Sequence, residues 1–327
     1  MSANMNMNPG NQPCVPRRTG AVHNSPQPAQ GTHDAAAPAV RFRAMNTDVL
    51  VVGGGAEIER WFRQVEATLS RFDPESSLSQ LNRHPGRWVI VPPLLHRAVQ
   101  MALGAARATD GAFDPTILDA LEAAGYSRSF ELGPTPAEEP PVVRANRWRE
   151  VRVAPTTPAV WLPPGTRLDL GGIGKGLAVD GAMRRLRQAP RALVNAGGDL
   201  ALRTAPGDGP VPVEIENPFN PDETLATAYL CSGAAATSSI MGRRWGQGLH
   251  HIIDPCTGRP AATDLVAATV FADTAVHADV LAKCCIVLGS LRSLTLLESQ
   301  GCRGLLVTDG GQMILSPGME EYLHAKA

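Results

Sequence analysis

The segment Leu168-Asp169-Leu170-Gly171-Gly172-Ile173-Gly174-Lys175-Gly176 packs four glycines into six residues, between an apolar strand end and a helix predicted to begin at Lys175. Glycine has no Cβ, so the backbone can approach a ligand or a neighbouring segment closely here. Glycines at such a turn expose N–H groups, and a helix N-terminus adds partial positive charge. A phosphate is a natural occupant, with Lys175 supplying a full charge. The spacing matches neither common nucleotide motif. The pattern G-x-x-x-x-G-K-[ST] needs Ser or Thr after the lysine, where Gly176 stands, and G-x-G-x-x-G does not fit these glycines. Taken alone, the run reads equally well as a plain structural turn.

Of the 327 residues, 43% are hydrophobic, which is enough for one large domain or two small lobes. Thirty Lys+Arg nearly cancel 31 Asp+Glu, leaving a net charge of -1 and no basic run. Nucleic acid and anionic lipid both reward clustered cations, so neither is expected as a partner. No stretch of 18 apolar residues occurs, and no membrane span is expected. Residues 1–40, rich in Asn, Pro, Ala and Gln, read as a disordered tail, and no apolar segment follows Arg17-Arg18 to make a secretion signal. The six cysteines, Cys14, Cys231, Cys256, Cys284, Cys285 and Cys302, lack zinc-binding or C-x-x-C spacing. They read as reduced, mostly buried thiols, and the expected compartment is the cytoplasm.

Apolar residues at three- and four-residue steps, Ile58, Trp61, Phe62, Val65 and Leu69, predict a helix over residues 56–72 that Pro74 ends. A second helix is predicted over 93–108, broken by Asp110-Gly111. Residues 126–164 read as a loop-heavy connection with short strands near 150–153 and 159–162. A helix over 175–186 and a buried strand over 192–195 come next. Strand-like runs at 211–215, 225–231, 250–253 and 265–271 then precede a helix over 274–288. Strands and helices that mix without regular β-α alternation give the class α+β.

Four further motifs could carry chemistry. Asn195-Ala196-Gly197-Gly198-Asp199 is either a hairpin turn or a carboxylate on a glycine turn. In Gly111-Ala112-Phe113-Asp114-Pro115-Thr116 the proline holds Asp114 extended, leaving its carboxylate to accept hydrogen bonds or cap a helix. His250-His251-Ile252-Ile253-Asp254-Pro255 offers two imidazoles, one of which could serve as a base near neutral pH, or a surface polar pair. Asp279 and Lys283 stand four apart on the last predicted helix and share a face, as an exposed ion pair or as part of a site.

In chain order, Met45-x-Thr47, Gly111 to Thr116, Asp169 to Gly176, Asn195 to Asp199, Ala236-Thr237-Ser238, His251 to Pro255 and Ala278-Asp279 resemble the FAD:protein FMN transferase family, also called ApbE or the thiamine biosynthesis lipoprotein family. The resemblance implies a T-fold-like α+β architecture in a single two-lobed catalytic domain over residues 41–318, with tails at 1–40 and 319–327. It implies that FAD is split with magnesium, that FMN passes to a threonine of a target flavoprotein, and that AMP leaves. On this pattern Met45, Ala112, Phe113, Asp114, Asp169 and Lys175 contact FAD, Ile252 lies beside the flavin, and Asn195, Gly198 and Asp199 shape the same cleft. His251 is the candidate base, and Asp279 is needed for catalysis. The metal is expected on a glycine-segment carbonyl, at Gly172, on Asp279, and on a threonine four residues later. This chain has Lys283 there, and a lysine ammonium donates only, so it cannot ligate magnesium. Two other readings use the same residues: an FAD-binding protein without transferase activity, and an FAD pyrophosphatase giving FMN and AMP.

Overall fold

Eight strands form one antiparallel sheet whose spatial order is their order along the chain. They are β1 (Ala39–Ala44), β2 (Thr47–Val52), β3 (Ala192–Ala196), β4 (Asp199–Arg203), β5 (Ser232–Ser239), β6 (Leu265–Ala272), β7 (Arg303–Thr308) and β8 (Met313–Leu315). This computed structural model describes residues 39–134, 145–246 and 248–323. Most of the two expected tails therefore lies outside the described residues. The ends that are described belong to the fold. Ala39 and Val40 pair in β1, Met319 is fully buried, and the Tyr322 ring packs 5.5 Å from that of Phe271. The folded part thus runs to Leu323 rather than stopping at residue 318, because these side chains fill the sheet's second face.

Two tight hairpins set the registers. Met45 and Asn46 join β1 to β2 with φ of 54° and 57°, and Gly197 and Gly198 join β3 to β4 with φ of 62° and 91°. Left-handed residues at both central positions match the twist of paired strands. A Cβ on Gly197 would lie 2.0 Å from Thr47 Oγ1, so the two hairpins can touch only with glycine there.

The long connection between β2 and β3 carries α1 (Ala56–Leu69), α2 (Pro93–Ala108) and α3 (Gly171–Arg185), and the connection between β6 and β7 carries α4 (Ala275–Leu288) and α5 (Ser290–Ser299). In α1 the expected stripe of Ile58, Trp61, Phe62, Val65 and Leu69 is buried. The hairpin of Val211–Asn217 and Asn220–Leu230 covers part of the sheet's other face. Strand β6 is consequently buried on both sides. Ala268, Val270 and Ala272 pack with α4 and α5, whereas Val266, Ala267 and Phe271 pack with the hairpin, and a bulge after Leu265 lets adjacent Val266 and Ala267 share a side. The α+β class read from the sequence is the one observed. Among the described residues no helix is long and apolar enough to cross a membrane.

Two further expectations are corrected. The glycine run is the first turns of α3 itself, which starts at Gly171 rather than Lys175, and none of its four glycines has positive φ. The glycines serve close packing. A Cβ on Gly176 would stand 2.7 Å from Val276 Cα, and one on Gly172 would stand 2.8 Å from the Phe113 ring. The predicted strand over 250–253 is also split, into Leu249–His250 and Ile253–Asp254, which pair with different partners. His251 and Ile252 leave the ladder between them.

Gly176→Ala is predicted to lower stability by ~1–3 kcal/mol, since the new methyl meets backbone that cannot swing aside. Gly104→Ala in α2, where a Cβ meets nothing within 4 Å, is predicted to raise stability by up to about 1 kcal/mol. Urea denaturation of both variants checks this, and equal effects would remove the packing explanation for α3.

Candidate active site

A cavity of about 520 Å³ lies between the helical part inserted after β2 and the part formed by β5, the following loops and α4. Its wall brings together Met45, Ala112, Phe113, Asp114, Asp169, Gly172, Lys175, His251, Ile252 and Lys283 from motifs far apart in sequence. Asn195, Gly198, Asp199 and Asp279 do not line it. Asn195 Oδ1 accepts the Gly198 N–H at 3.0 Å and so closes the β3–β4 turn, which makes this pair a hairpin device. Asp199 and Asp279 lie behind the wall, both almost fully buried.

Each lining group is held from its own element. Met45 has a left-handed backbone whose N–H donates to Glu66 Oε1 at 2.9 Å, so α1 holds that strained turn against the cavity. Asp114 is fully engaged. Its Oδ1 accepts the N–H and Oγ1–H of Thr116, both at 2.7 Å, and its Oδ2 accepts the Asn146 N–H at 2.6 Å. Burial raises its pKa against these hydrogen bonds. Asp169 Oδ1 accepts the Gly171 N–H at 2.8 Å, capping α3, and Asp169 Oδ2 lies 2.8 Å from Arg71 Nε.

Arg71 was not foreseen. Its guanidinium stacks 4.2 Å from the Phe72 ring centre and 4.5 Å from that of Tyr126, and its Nη2 is buried without a partner. Arg243, from the loop after β5, reaches the Tyr126 hydroxyl at 3.4 Å and lines the same wall. A lone arginine after a helix carries no spacing signature, and residues 71, 126 and 243 meet only through the tertiary fold.

Behind the wall two carboxylates face two ammonium groups. Lys175 Nζ stands 2.6 Å from Asp199 Oδ2 in an ion pair where neither Asp199 oxygen accepts an aligned hydrogen bond. Lys283 Nζ binds Asp279 Oδ1, while Asp279 Oδ2 is buried without a partner. The i,i+4 pair on α4 is therefore no solvated surface pair. Burial opposes the charge on Lys175, but Asp199 and Asp279 outweigh it and raise its pKa. Burial and then the Asp199 charge push Asp279 up to about 6, against the pull of Lys283 and Lys175.

The two adjacent histidines part company. His250 is buried, its Nε2 is 2.9 Å from the Ala261 carbonyl, and its Nδ1 accepts the Ile252 N–H at 3.3 Å, which defines a neutral structural imidazole. His251 lines the cavity with Nδ1 unpartnered. Burial first, then Arg243 and Lys283, hold its pKa well below 6.5, so it is neutral at pH 7.

The residues present do not fit magnesium. Asp279 offers one open oxygen, its other oxygen carries the Lys283 ammonium, and that ammonium occupies the position expected for an oxygen ligand.

Comparison with known proteins finds a match to the model of the ApbE family over residues 40–306. The FAD:protein FMN transferase of Treponema pallidum (strain Nichols) is 30% identical over 289 residues, spanning 80% of this chain and 79% of that protein. The crystal structure of the ApbE protein of Thermotoga maritima MSB8 matches with a TM-score of 0.80 at 28% identity, over 88% of this chain and 99% of that one. The apo flavinyl transferase ApbE of Pseudomonas stutzeri, at 24% identity, shares the fold with a TM-score of 0.74 over 89% of this chain and 98% of its own.

The depressed histidines have a consequence for stability. Below pH 6.5 the unfolded chain takes up protons on His250 and His251 that the folded chain refuses. Stability is therefore present above that pH and is lost as pH falls through it. Urea midpoints at about pH 7.5 and about pH 5.5 check this, and the double variant His250→Gln, His251→Gln should show a smaller drop.

Proposed function

The chain belongs to the ApbE family, and from that premise we propose that it is an FAD:protein FMN transferase. It takes FAD into the cavity, joins FMN through a phosphoester to a threonine of a target flavoprotein, and releases AMP. The observation that carries this is a single wall that presents the cationic Lys175, the start of α3 and the neutral, cavity-lining His251. Breaking a diphosphate needs charge on its oxygens answered, a nucleophile placed in line, and little covalent chemistry from the protein.

The work then divides among this chain's own side chains. Lys175, held by Asp199, answers the diphosphate charge together with the N-terminal end of α3. Phe113, Ile252 and Met45 give the flavin apolar surface. Asp114 and Asp169 shape the wall they line, since their oxygens are occupied by internal donors. His251 takes the proton of the acceptor threonine as its oxygen bonds to the FMN phosphorus and the bond to the AMP oxygen breaks. No step is assigned to magnesium.

The test is intact-mass analysis of a flavoprotein acceptor domain incubated with the protein and FAD. One FMN ester per acceptor is expected, with AMP in equal amount. His251→Ala is predicted to slow transfer by about 10²–10⁴-fold while FAD still binds. AMP and free FMN without an adduct would instead mean that water is the nucleophile, and the transferase assignment would fall.

A further inference from the structure

We infer that the Lys283 ammonium takes the place of a divalent cation in this cavity, so that the FAD diphosphate is bound by Lys175 and Lys283 without a metal ion. The inference rests on the assignment of FAD as the ligand made above.

Both lysines line the cavity with side chains 23% exposed, and each is anchored from behind by a carboxylate that is almost fully buried, 1% exposed for Asp199 and 2% for Asp279. The two ammonium groups belong to different helices, α3 and α4. Helix α3 reaches α4 because Gly176 packs directly on the backbone of Ala275 and Val276, and the Lys283 stem passes 3.4 Å from where a Gly172 Cβ would be. The result is a pair of cations held on one wall by the fold. An ammonium has three donors. Lys283 spends its own on Asp279 Oδ1 and, at 3.4 Å, on the Asp279 carbonyl, which leaves a third for a ligand oxygen. Lys175 pairs with Asp199.

The same geometry turns a divalent ion away. The unpartnered oxygen beside Lys283 is Asp279 Oδ2, on the carboxylate that Lys283 already binds. An ion seated there would lie against a like charge that burial leaves poorly screened. Magnesium also needs several oxygen ligands in octahedral array, and at the expected threonine position this chain offers an ammonium donor instead of an oxygen. A diphosphate needs neither. It presents oxygens that two fixed ammonium donors can bind directly, with strong charge-assisted hydrogen bonds.

The experiment is FAD binding, read from quenching of flavin fluorescence, on full-length protein treated with EDTA and then assayed with EDTA or with magnesium. The wild-type dissociation constant should agree in the two conditions. Lys283→Thr should bind FAD about tenfold or more weakly in EDTA and recover when magnesium is added, because the hydroxyl frees Asp279 for the ion. Lys283→Met, which keeps the apolar stem, should lose binding without recovery. Wild-type binding that requires magnesium would overturn the inference and leave the transferase assignment standing, as would Lys283→Thr binding as tightly as wild type in EDTA. The wild-type arm decides even where a variant fails to fold. No binding of FAD in any condition would overturn both the inference and the assignment on which it rests.

Discussion

The contact between α3 and α4 at Gly176 is the constraint on which the site depends. A side chain there would push apart the helix that carries Lys175 and the helix that carries Asp279 and Lys283. At the distance glycine allows, four charges come within reach of one another. Asp199 and Asp279 raise the pKa of Lys175 against burial, and burial and then Asp199 raise that of Asp279. Charges so buried are costly unless paired, and each carboxylate here has its own ammonium. The pairs therefore stand as positioned groups rather than as sources of stability. Asp180 of α3 fastens the same contact, accepting the N–H groups of Ala275 at 2.8 Å and Val276 at 3.1 Å and so satisfying the open N-terminus of α4.

From that contact outward, the wall is assembled by elements fastened to one another. Met45 is held in a left-handed turn by Glu66 of α1, and Asp169 joins the cap of α3 to Arg71 at the end of α1. The His251 imidazole leaves the strand ladder at the break between Leu249–His250 and Ile253–Asp254. Its neighbour His250 is consumed in holding that break, through the Ala261 carbonyl and the Ile252 N–H. One histidine fixes the loop and the other lines the cavity.

Much of this was legible in the sequence because it is local. The stripe from Ile58 to Leu69 and the proline start of α2 are periodic or positional signals, and both elements lie where they were expected. The ordered motifs likewise named most of the cavity wall. What was not legible depends on meetings across the chain. Gly172 and Gly174 of α3 read as part of a turn because their close neighbours, Phe113 and Met45, lie far away in sequence. Asp279 and Lys283 read equally well as a solvated pair, since nothing in a four-residue spacing tells that α4 is buried almost all round. Arg71 and Arg243 gave no signal at all. Their value comes from Tyr126, which meets both.

The central claim is that one wall of one cavity holds the FAD diphosphate between Lys175 and Lys283 with His251 beside it. A crystal structure of the protein with FAD, grown in the presence of chelator, tests this most directly. The account predicts diphosphate oxygens within hydrogen-bond distance of both ammonium groups, with the Lys175–Asp199 and Lys283–Asp279 pairs intact. A diphosphate bound away from Lys283, or seated there only with an ion bridging it to Asp279, would contradict it.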